Sequence, residues 1–169
     1  MDRLPLVVAL CCLSAGCLGF GGQPTAPGQP ISLSVDNQAA EPYDVRVSIA
    51  PEAPTGVDVV YANGTVQRRS PTVLTESGPS SLGSVVDVRL VGANLTSEEF
   101  RVPANSGIGT QLRDETGGSM LWLVVRRTTG DDRMQLWTRF QCHPDATTVE
   151  ARLTIGANDS TALATSCRG

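Results

Sequence analysis

The chain has 169 residues, and its 13 basic residues, all arginine, are outnumbered by 17 acidic residues, which gives a formal net charge of −4. This balance argues against a nucleic-acid-binding protein, because such proteins need clustered positive charge. The length suits one domain, with or without a processed leader.

The first 16 residues have the pattern of a secretory signal peptide. Arg3 provides one positive charge, residues 4–13 form an apolar run of ten, and residues 14–16 are small. A basic start, a short apolar centre and small residues before the cleavage point are typical of such signals. Ten residues are too few for a spanning helix, which needs about 20. We expect cleavage after residue 16, and an uncleaved anchor that extends to residue 20 is the alternative.

Cys17 directly follows these small residues. The segment LSAGC at residues 13–17 resembles the lipobox of prokaryotic lipoproteins, in which the cysteine is lipidated and becomes the first mature residue. It departs from that motif at Ser14, where the family favours an aliphatic residue. Arginine without lysine favours a GC-rich, salt-adapted source, and so a haloarchaeal surface lipoprotein. The resemblance implies a lipid on Cys17 and a place on the extracytoplasmic face of the cell membrane; an ordinary apolar role for Cys17 is the alternative.

Residues 17–30 predict the lipidated cysteine and a flexible linker. The residues after Cys17 carry no charge and are rich in Gly, Pro, Gln and Thr, a composition that cannot bury a core. The remaining residues, 31–169, are expected to form a single folded domain.

Alternation of apolar and polar residues dominates residues 31–169 and predicts strands. Residues 31–36 and 43–50 predict a hairpin with one solvated face, and Asn63-Gly64 predicts a second hairpin turn. Pro71 restricts the strand before it to a sheet edge or a break. Further strands are predicted at residues 57–62, 65–75, 84–92, 98–103, 120–127, 133–142, 147–155 and 161–167.

Residues 120–127 are apolar on both faces and therefore predict a central strand. Residues 75–84 and 103–119 predict long loops, the second with a short strand near residues 110–113. Many short strands with turns between them favour an all-β fold, an antiparallel β-sandwich of immunoglobulin-like type. A small barrel is the alternative.

Two cysteines near the C-terminus, Cys142 and Cys167, predict a disulfide, because an even pair outside the cell is usually bonded. They end the first and third strands of a predicted up-down-up run, which places them at the same end of the sheet. Three N-x-[ST] sequons, at Asn63, Asn94 and Asn158, fall in predicted turns and are candidate glycosylation sites.

The sequence predicts no cofactor, no metal site and no enzyme. His143 is the single histidine, so a copper or catalytic zinc site lacks ligands. No nucleophile elbow or phosphate loop occurs. Carboxylates lie side by side at residues 98–99, 114–115 and 131–132, whereas glycosidases use two separated carboxylates across a cleft. The segment at residues 128–133 is expected to be a hairpin loop.

Four arginines, Arg126, Arg127, Arg133 and Arg139, flank this loop. We expect them to pair with Asp131, Asp132 and Glu150; a basic stripe for an acidic polymer or lipid headgroups is the alternative. The sequence as a whole predicts a lipid-anchored extracytoplasmic module with a binding or structural role at the cell surface. Its expected partners are the membrane and an envelope protein or glycan, with no nucleic acid. A surface-anchored hydrolase with an unrecognised carboxylate site is the alternative function.

Overall fold

The computed structural model describes residues 28–72, 84–92, 94–129 and 134–169, apart from the side chains of residues 135–137. The predicted signal peptide, Cys17 and most of the linker lie outside these residues. The described ranges consist of strands and turns and contain no helix, and therefore none that could cross a membrane.

Eleven strands lie within the described residues. Numbered in chain order they are β1 (Gln29–Asn37), β2 (Tyr43–Ala50), β3 (Gly56–Tyr61), β4 (Val66–Arg69), β5 (Val85–Val91), β6 (Thr96–Val102), β7 (Ser106–Asp114), β8 (Met120–Arg127), β9 (Met134–Gln141), β10 (Thr148–Ile155) and β11 (Thr161–Arg168).

The strands form three sheets. Sheet A has the strand order β11-β10-β1-β7, sheet B the order β6-β2-β8-β9, and sheet C the order β4-β3-β5. Neighbouring strands are antiparallel except β1 and β10, which run parallel. The expected all-β sandwich is confirmed, and the parallel pair is a detail that the sequence pattern did not predict.

Sheets A and B pack face to face around the main core. Period-two alternation turns every second residue of their strands inward, and these side chains are almost fully buried. The largest fully buried side chains of this core are Ile31, Val35, Tyr43, Val45, Val47, Val102, Leu123, Leu153 and Ile155.

Sheet C covers the other face of sheet B and forms a second core. From β8, Leu121 and Leu123 point toward sheet A, whereas Trp122 and Val124 are buried against sheet C together with Val59. The prediction of a central strand at residues 120–127 is confirmed, since β8 lies inside sheet B and is covered on both faces.

The predicted hairpin of residues 31–36 and 43–50 is wrong. Strand β1 lies in sheet A and β2 in sheet B, so the link between them crosses the sandwich. Asn37, 1% exposed, holds this crossing: its Nδ2 donates to the carbonyls of Glu41 and Pro103, both at 2.9 Å, and its Oδ1 accepts from the Ala39 amide at 3.0 Å. Its Nδ2 also lies 3.3 Å from the Val102 carbonyl. A buried amide with four backbone partners fixes a corner that alternation alone cannot reveal.

The predicted loop at residues 103–119 is also largely wrong, because most of it forms the nine-residue strand β7 at the edge of sheet A. Gly107 and Gly109 weaken the apolar alternation there, although Leu112 is buried and Ile108 packs against the core. The turn at Asn63-Gly64 is confirmed: Gly64 has φ +80°, and β3 and β4 pair on either side of it.

Candidate functional site

The outer face of sheet A carries a shallow groove of about 740 Å³ that crosses all four of its strands. Alternation directs the outward residues of these strands away from the core, and most of them are small or polar. The outward residues that line the groove are Ser32 and Ser34 from β1, Gly109 and Gln111 from β7, Glu150 and Arg152 from β10, and Ala164 and Ser166 from β11.

Strand register sorts these residues into two rows, which we call the polar row and the arginine row. In the polar row, Ser32 lies between Glu150 and Gln111, and Ser166 follows Glu150. The arginine row is formed by Ala164, Arg152, Ser34 and Gly109 in the same strand order. Arg152 therefore stands between two short side chains, on a strand in the interior of the sheet.

Arg152 is exposed and forms no salt bridge with any carboxylate of the described residues. Glu150, two residues before it on the same face, is already engaged: Arg168 Nη2 lies 3.6 Å from its Oε2, and the Ser166 hydroxyl donates to it at 3.2 Å. The groove thus offers one guanidinium with open donor capacity beside an occupied carboxylate. A guanidinium presents a planar fork of donors that matches a carboxylate in two parallel hydrogen bonds.

Gly109 leaves a gap in the arginine row, although the packing of the fold would allow a Cβ at this position. A Cβ added to Gly109 would meet no atom within 4 Å, and its φ lies outside the left-handed region. Gly107, two residues earlier, is different, because a Cβ there would lie 3.1 Å from the Val35 carbonyl oxygen. Glycine inside a strand weakens it and often marks a point of close approach by a ligand or another backbone.

The disulfide between Cys142 and Cys167 is present, with Cα atoms 5.8 Å apart. Cys142 follows β9, the edge of sheet B, and Cys167 lies in β11, the edge of sheet A. The sequence suggests that the three strands of this run lie in one sheet, but β9 belongs to sheet B whereas β10 and β11 belong to sheet A. The bond therefore joins the two sheets along one side of the sandwich. Closing a loop with a separation of 25 residues stabilises by about 3.5 kcal/mol on the chain-entropy model.

The three sequon asparagines Asn63, Asn94 and Asn158 are all exposed turn residues, and none lines the groove. The Oδ1 atoms of Asn63 and Asn158 accept hydrogen bonds from the amides two residues later, at 2.9 Å and 3.3 Å. Cys17, the predicted lipidation site, lies outside the described residues.

The predicted partners of the arginine cluster are wrong where they can be described. Arg126 Nη2 lies 2.8 Å from Glu99 and 3.3 Å from Asp44, and Arg127 Nη1 lies 3.1 Å from Asp159. Arg139 instead stands over the ring of Trp122, 5.5 Å from its centroid. Glu150 pairs with Arg168. Arg133, Asp131 and Asp132 lie outside the described residues. Paired in this way, Arg126 and Arg127 do not form a free basic stripe.

One carboxylate of each described pair, Glu99 or Asp114, takes part in interactions that hold the fold together. Glu99 binds Arg46 and Arg126. Asp114 is 2% exposed; burial raises its pKa, but hydrogen bonds from Ser119 and Thr116 outweigh this and hold the pKa of its carboxyl below the usual range. The two shortest of these bonds run from the Ser119 hydroxyl at 2.6 Å and the Ser119 amide at 2.7 Å. A lowered pKa suits a structural acceptor and not a general acid.

His143 is exposed, and its Nδ1 accepts a hydrogen bond from the Asp145 amide at 3.3 Å. Among the described residues, no three His, Cys, Asp or Glu side chains gather into a metal-binding group. The groove lining includes hydroxyl, amide and guanidinium groups, and no aromatic side chain. This arrangement can bind a polar ligand by hydrogen bonds and charge.

The groove is not evident from the sequence. Gly109 and Gln111 fall in a segment that the sequence predicts to be mostly loop, and nothing in the segment around Arg152 distinguishes it from the other arginines. The available signal was a glycine at an outward position of an alternating segment, where Ile108 and Leu112 mark the inward face.

No protein-family model matches this sequence, and no curated protein matches it. The T6SS lipoprotein TssJ1 from Pseudomonas aeruginosa aligns with 83% of this chain and 98% of its own, at 13% identity and a TM-score of 0.48. The human-specific toxin intermedilysin aligns with 83% of this chain and 24% of its own, at 8% identity and a TM-score of 0.37. A structure named "Trapped Toxin" aligns with 82% of this chain and 24% of its own, at 8% identity and a TM-score of 0.35. Because all three TM-scores are below 0.5, these similarities do not bear on the function of this chain.

Proposed function

We propose that this protein is a lipid-anchored module of the cell surface, held on the extracytoplasmic face of the membrane through Cys17, and that it binds an envelope partner with its β-sandwich. The observation that carries the proposal is the position of Cys17, which directly follows an apolar run and three small residues and precedes an uncharged segment. One acyl chain gives marginal membrane binding, and a second makes the anchor stable.

The spacing between Cys17 and the sandwich supports an anchored role. Strand β1 begins at Gln29, so eleven residues separate it from Cys17. A chain of that length can span at most about 40 Å. This reach is enough to keep the sandwich clear of the lipid headgroups and to leave the outer face of sheet A accessible from the side.

The disulfide supports the extracytoplasmic compartment. Bonds of this kind persist in oxidising surroundings and are rare where thiols are kept reduced. Cys142 and Cys167 join the edges of two sheets, a structural position. In such a compartment Asn63, Asn94 and Asn158 are accessible acceptors for glycans, and we include their modification in the proposal.

A binding role fits the described side chains better than the hydrolase that the sequence leaves open. Glu99 and Asp114 are engaged by arginines or by hydroxyl and amide donors, which leaves neither of them poised for acid–base chemistry. The groove on sheet A instead provides unoccupied donors on an accessible surface. We therefore do not propose an enzymatic activity.

Replacement of the anchoring thiol tests the proposal. We expect Cys17→Ser to move the protein from the membrane fraction to the medium, or to leave residues 1–16 uncleaved. Cell fractionation detects the first outcome, and an intact-mass measurement detects the second. Cys12→Ser, which changes a neighbouring cysteine inside the apolar run, is the matched control and should fractionate like the wild type. A Cys17→Ser protein that is cleaved after residue 16 and stays in the membrane fraction like the wild type would refute the anchor.

A further inference from the structure

We infer that the groove on the outer face of sheet A binds an acidic glycan, and that Arg152 recognises a carboxylate of that glycan. The inference rests on the proposed function, because it requires this face to be exposed to the cell envelope. It assigns the ligand class and the recognising residue of the module.

The charge of the groove favours an anionic ligand. Arg152 forms no salt bridge with any described carboxylate, while Glu150, the acidic residue of the lining, is held by Arg168 and Ser166. An incoming carboxylate therefore meets an unoccupied guanidinium. The whole chain has a net charge of −4, so this local arrangement is not a consequence of a generally basic surface.

The shape of the groove favours a ligand that approaches the sheet backbone closely. Ser34 and Ala164 flank Arg152, and Gly109 completes the row with no side chain. Since a Cβ on Gly109 would meet no protein atom within 4 Å, the packing of this chain does not explain the glycine. A ligand lying across the strands explains it, because a side chain at this position would occupy the space of that ligand.

The lining favours a glycan over a protein partner. Protein interfaces depend on a few large anchors such as Trp, Tyr and Arg packed into desolvated pockets. The groove has no aromatic residue, and its one large aliphatic residue, Leu33, points into the core. The hydroxyls of Ser32, Ser34 and Ser166 and the amide of Gln111 are suited to the hydroxyl groups of a sugar chain.

Titration calorimetry on the full-length chain in detergent tests the inference, with trigalacturonate as the acidic glycan. Its methyl ester is the uncharged comparison, and pentaglutamate is the acidic peptide. We expect trigalacturonate to bind, and its methyl ester and Arg152→Gln to weaken binding about tenfold or more, since each removes a charge-assisted hydrogen-bonded pair. Arg101→Gln is the matched control, because it removes the same charge from an exposed position in sheet B.

Gly109→Thr provides a second test that does not depend on charge. The new Cβ would meet no protein atom within 4 Å. We therefore expect the unfolding temperature not to fall, whereas trigalacturonate should bind at least tenfold more weakly because the threonine side chain fills its space. A steric block without loss of stability distinguishes a ligand site from a structural role of Gly109.

Three results would overturn the inference. The first is that trigalacturonate does not bind at millimolar concentration, and the second is that it binds wild type and Arg152→Gln equally well. The third is that pentaglutamate binds and the glycan does not. Any of these results leaves the membrane anchor intact, because fractionation of Cys17→Ser does not depend on the groove. A failed anchor would equally leave the binding result unchanged.

Discussion

The two sheets of the sandwich share one core but differ on their outer faces. The outer face of sheet B carries Trp122 and Val124, both less than 10% exposed, and is covered by sheet C. The outer face of sheet A has small and polar residues at the equivalent positions and is bare among the described residues. A strand that is apolar on both faces requires a cover, whereas an alternating strand leaves one face in solvent.

Charged side chains sharpen this difference. On sheet B, Arg46 reaches across to sheet C, where its Nη1 lies 2.9 Å from Asp87, whose side chain is 3% exposed. Burial lowers the pKa of the Arg46 guanidinium, but the hydrogen bond and charge of Asp87 and then Glu99 raise it above its usual value. On sheet A, Arg152 has no such partner among the described residues. Arg46 on the outer face of sheet B therefore holds two sheets together, whereas Arg152 on the outer face of sheet A is available to a ligand.

Truncating a side chain on the covered face of sheet B should destabilise the protein most. Trp122→Ala should lower the free energy of unfolding by about 3–5 kcal/mol, because it leaves a cavity between sheets B and C. Ser34→Ala on the bare face should change it by no more than about 0.5 kcal/mol. Urea denaturation of both variants measures the difference, and equal losses would mean that the two faces are not distinct in this way.

Breaking the buried ion pair should have the next largest effect. Asp87→Asn removes the charge that holds Arg46, and we expect a loss of about 2–3 kcal/mol, less than for a fully buried pair because the Arg46 side chain is 18% exposed. Glu99→Gln, in the same network but with a side chain that is 43% exposed, should cost under about 1 kcal/mol. If Glu99→Gln proves the more damaging of the two, the assignment of Asp87 as the central carboxylate is incorrect.

Asp114, at the end of β7 in sheet A, should make the free energy of unfolding decrease at acidic pH. Its folded pKa lies below the unfolded value, so its contribution is complete above the unfolded pKa and is lost as the pH falls through the folded value. Asp114→Asn should lower the free energy of unfolding by about 2 kcal/mol at neutral pH. Urea titrations of wild type and Asp114→Asn at neutral pH and below pH ~4 should show that the difference between their free energies of unfolding decreases in acid. If this difference in the free energy of unfolding does not change with pH, hydrogen bonds to the Asp114 carboxylate do not explain its lowered pKa.

Substitution of Gly109 should have the smallest effect on stability, and this effect should be stabilising. Gly109→Ala should raise the free energy of unfolding by about 0.5–1 kcal/mol, because the new methyl group has space and the unfolded chain loses freedom. Gly107→Ala should bring no such gain, since its Cβ would crowd the Val35 carbonyl oxygen at 3.1 Å. Thermal melts of the two variants provide the comparison. A destabilised Gly109→Ala would show that the fold itself needs this glycine.

Side-chain alternation was sufficient to predict the all-β sandwich and the central position of β8. These features depend on which residues are apolar and how often they recur, and that information is local. The turn at Asn63-Gly64 was predictable for the same reason, because Gly64 supplies its positive φ without help from distant residues.

Sheet membership could not be predicted in this way. Nothing in the alternation of β1 indicates that it pairs with β10 and β7 instead of β2. The crossing that follows β1 is held by Asn37, whose hydrogen bonds reach the carbonyls of Val102 and Pro103 about 65 residues away. The groove escaped prediction because it needs four strands brought together from distant parts of the chain. The openness of Arg152 is a property of its neighbours on other strands, not of its own segment.

Backbone amide chemical shifts of the full-length, ¹⁵N-labelled chain in micelles, recorded as trigalacturonate is added, test whether the outer face of sheet A is left bare for a ligand. We expect shifts confined to residues 32–34, 109–111, 150–152 and 164–166, with sheet C unchanged. Shifts centred on sheet C or on the β3–β4 turn, or none on sheet A, would contradict this expectation.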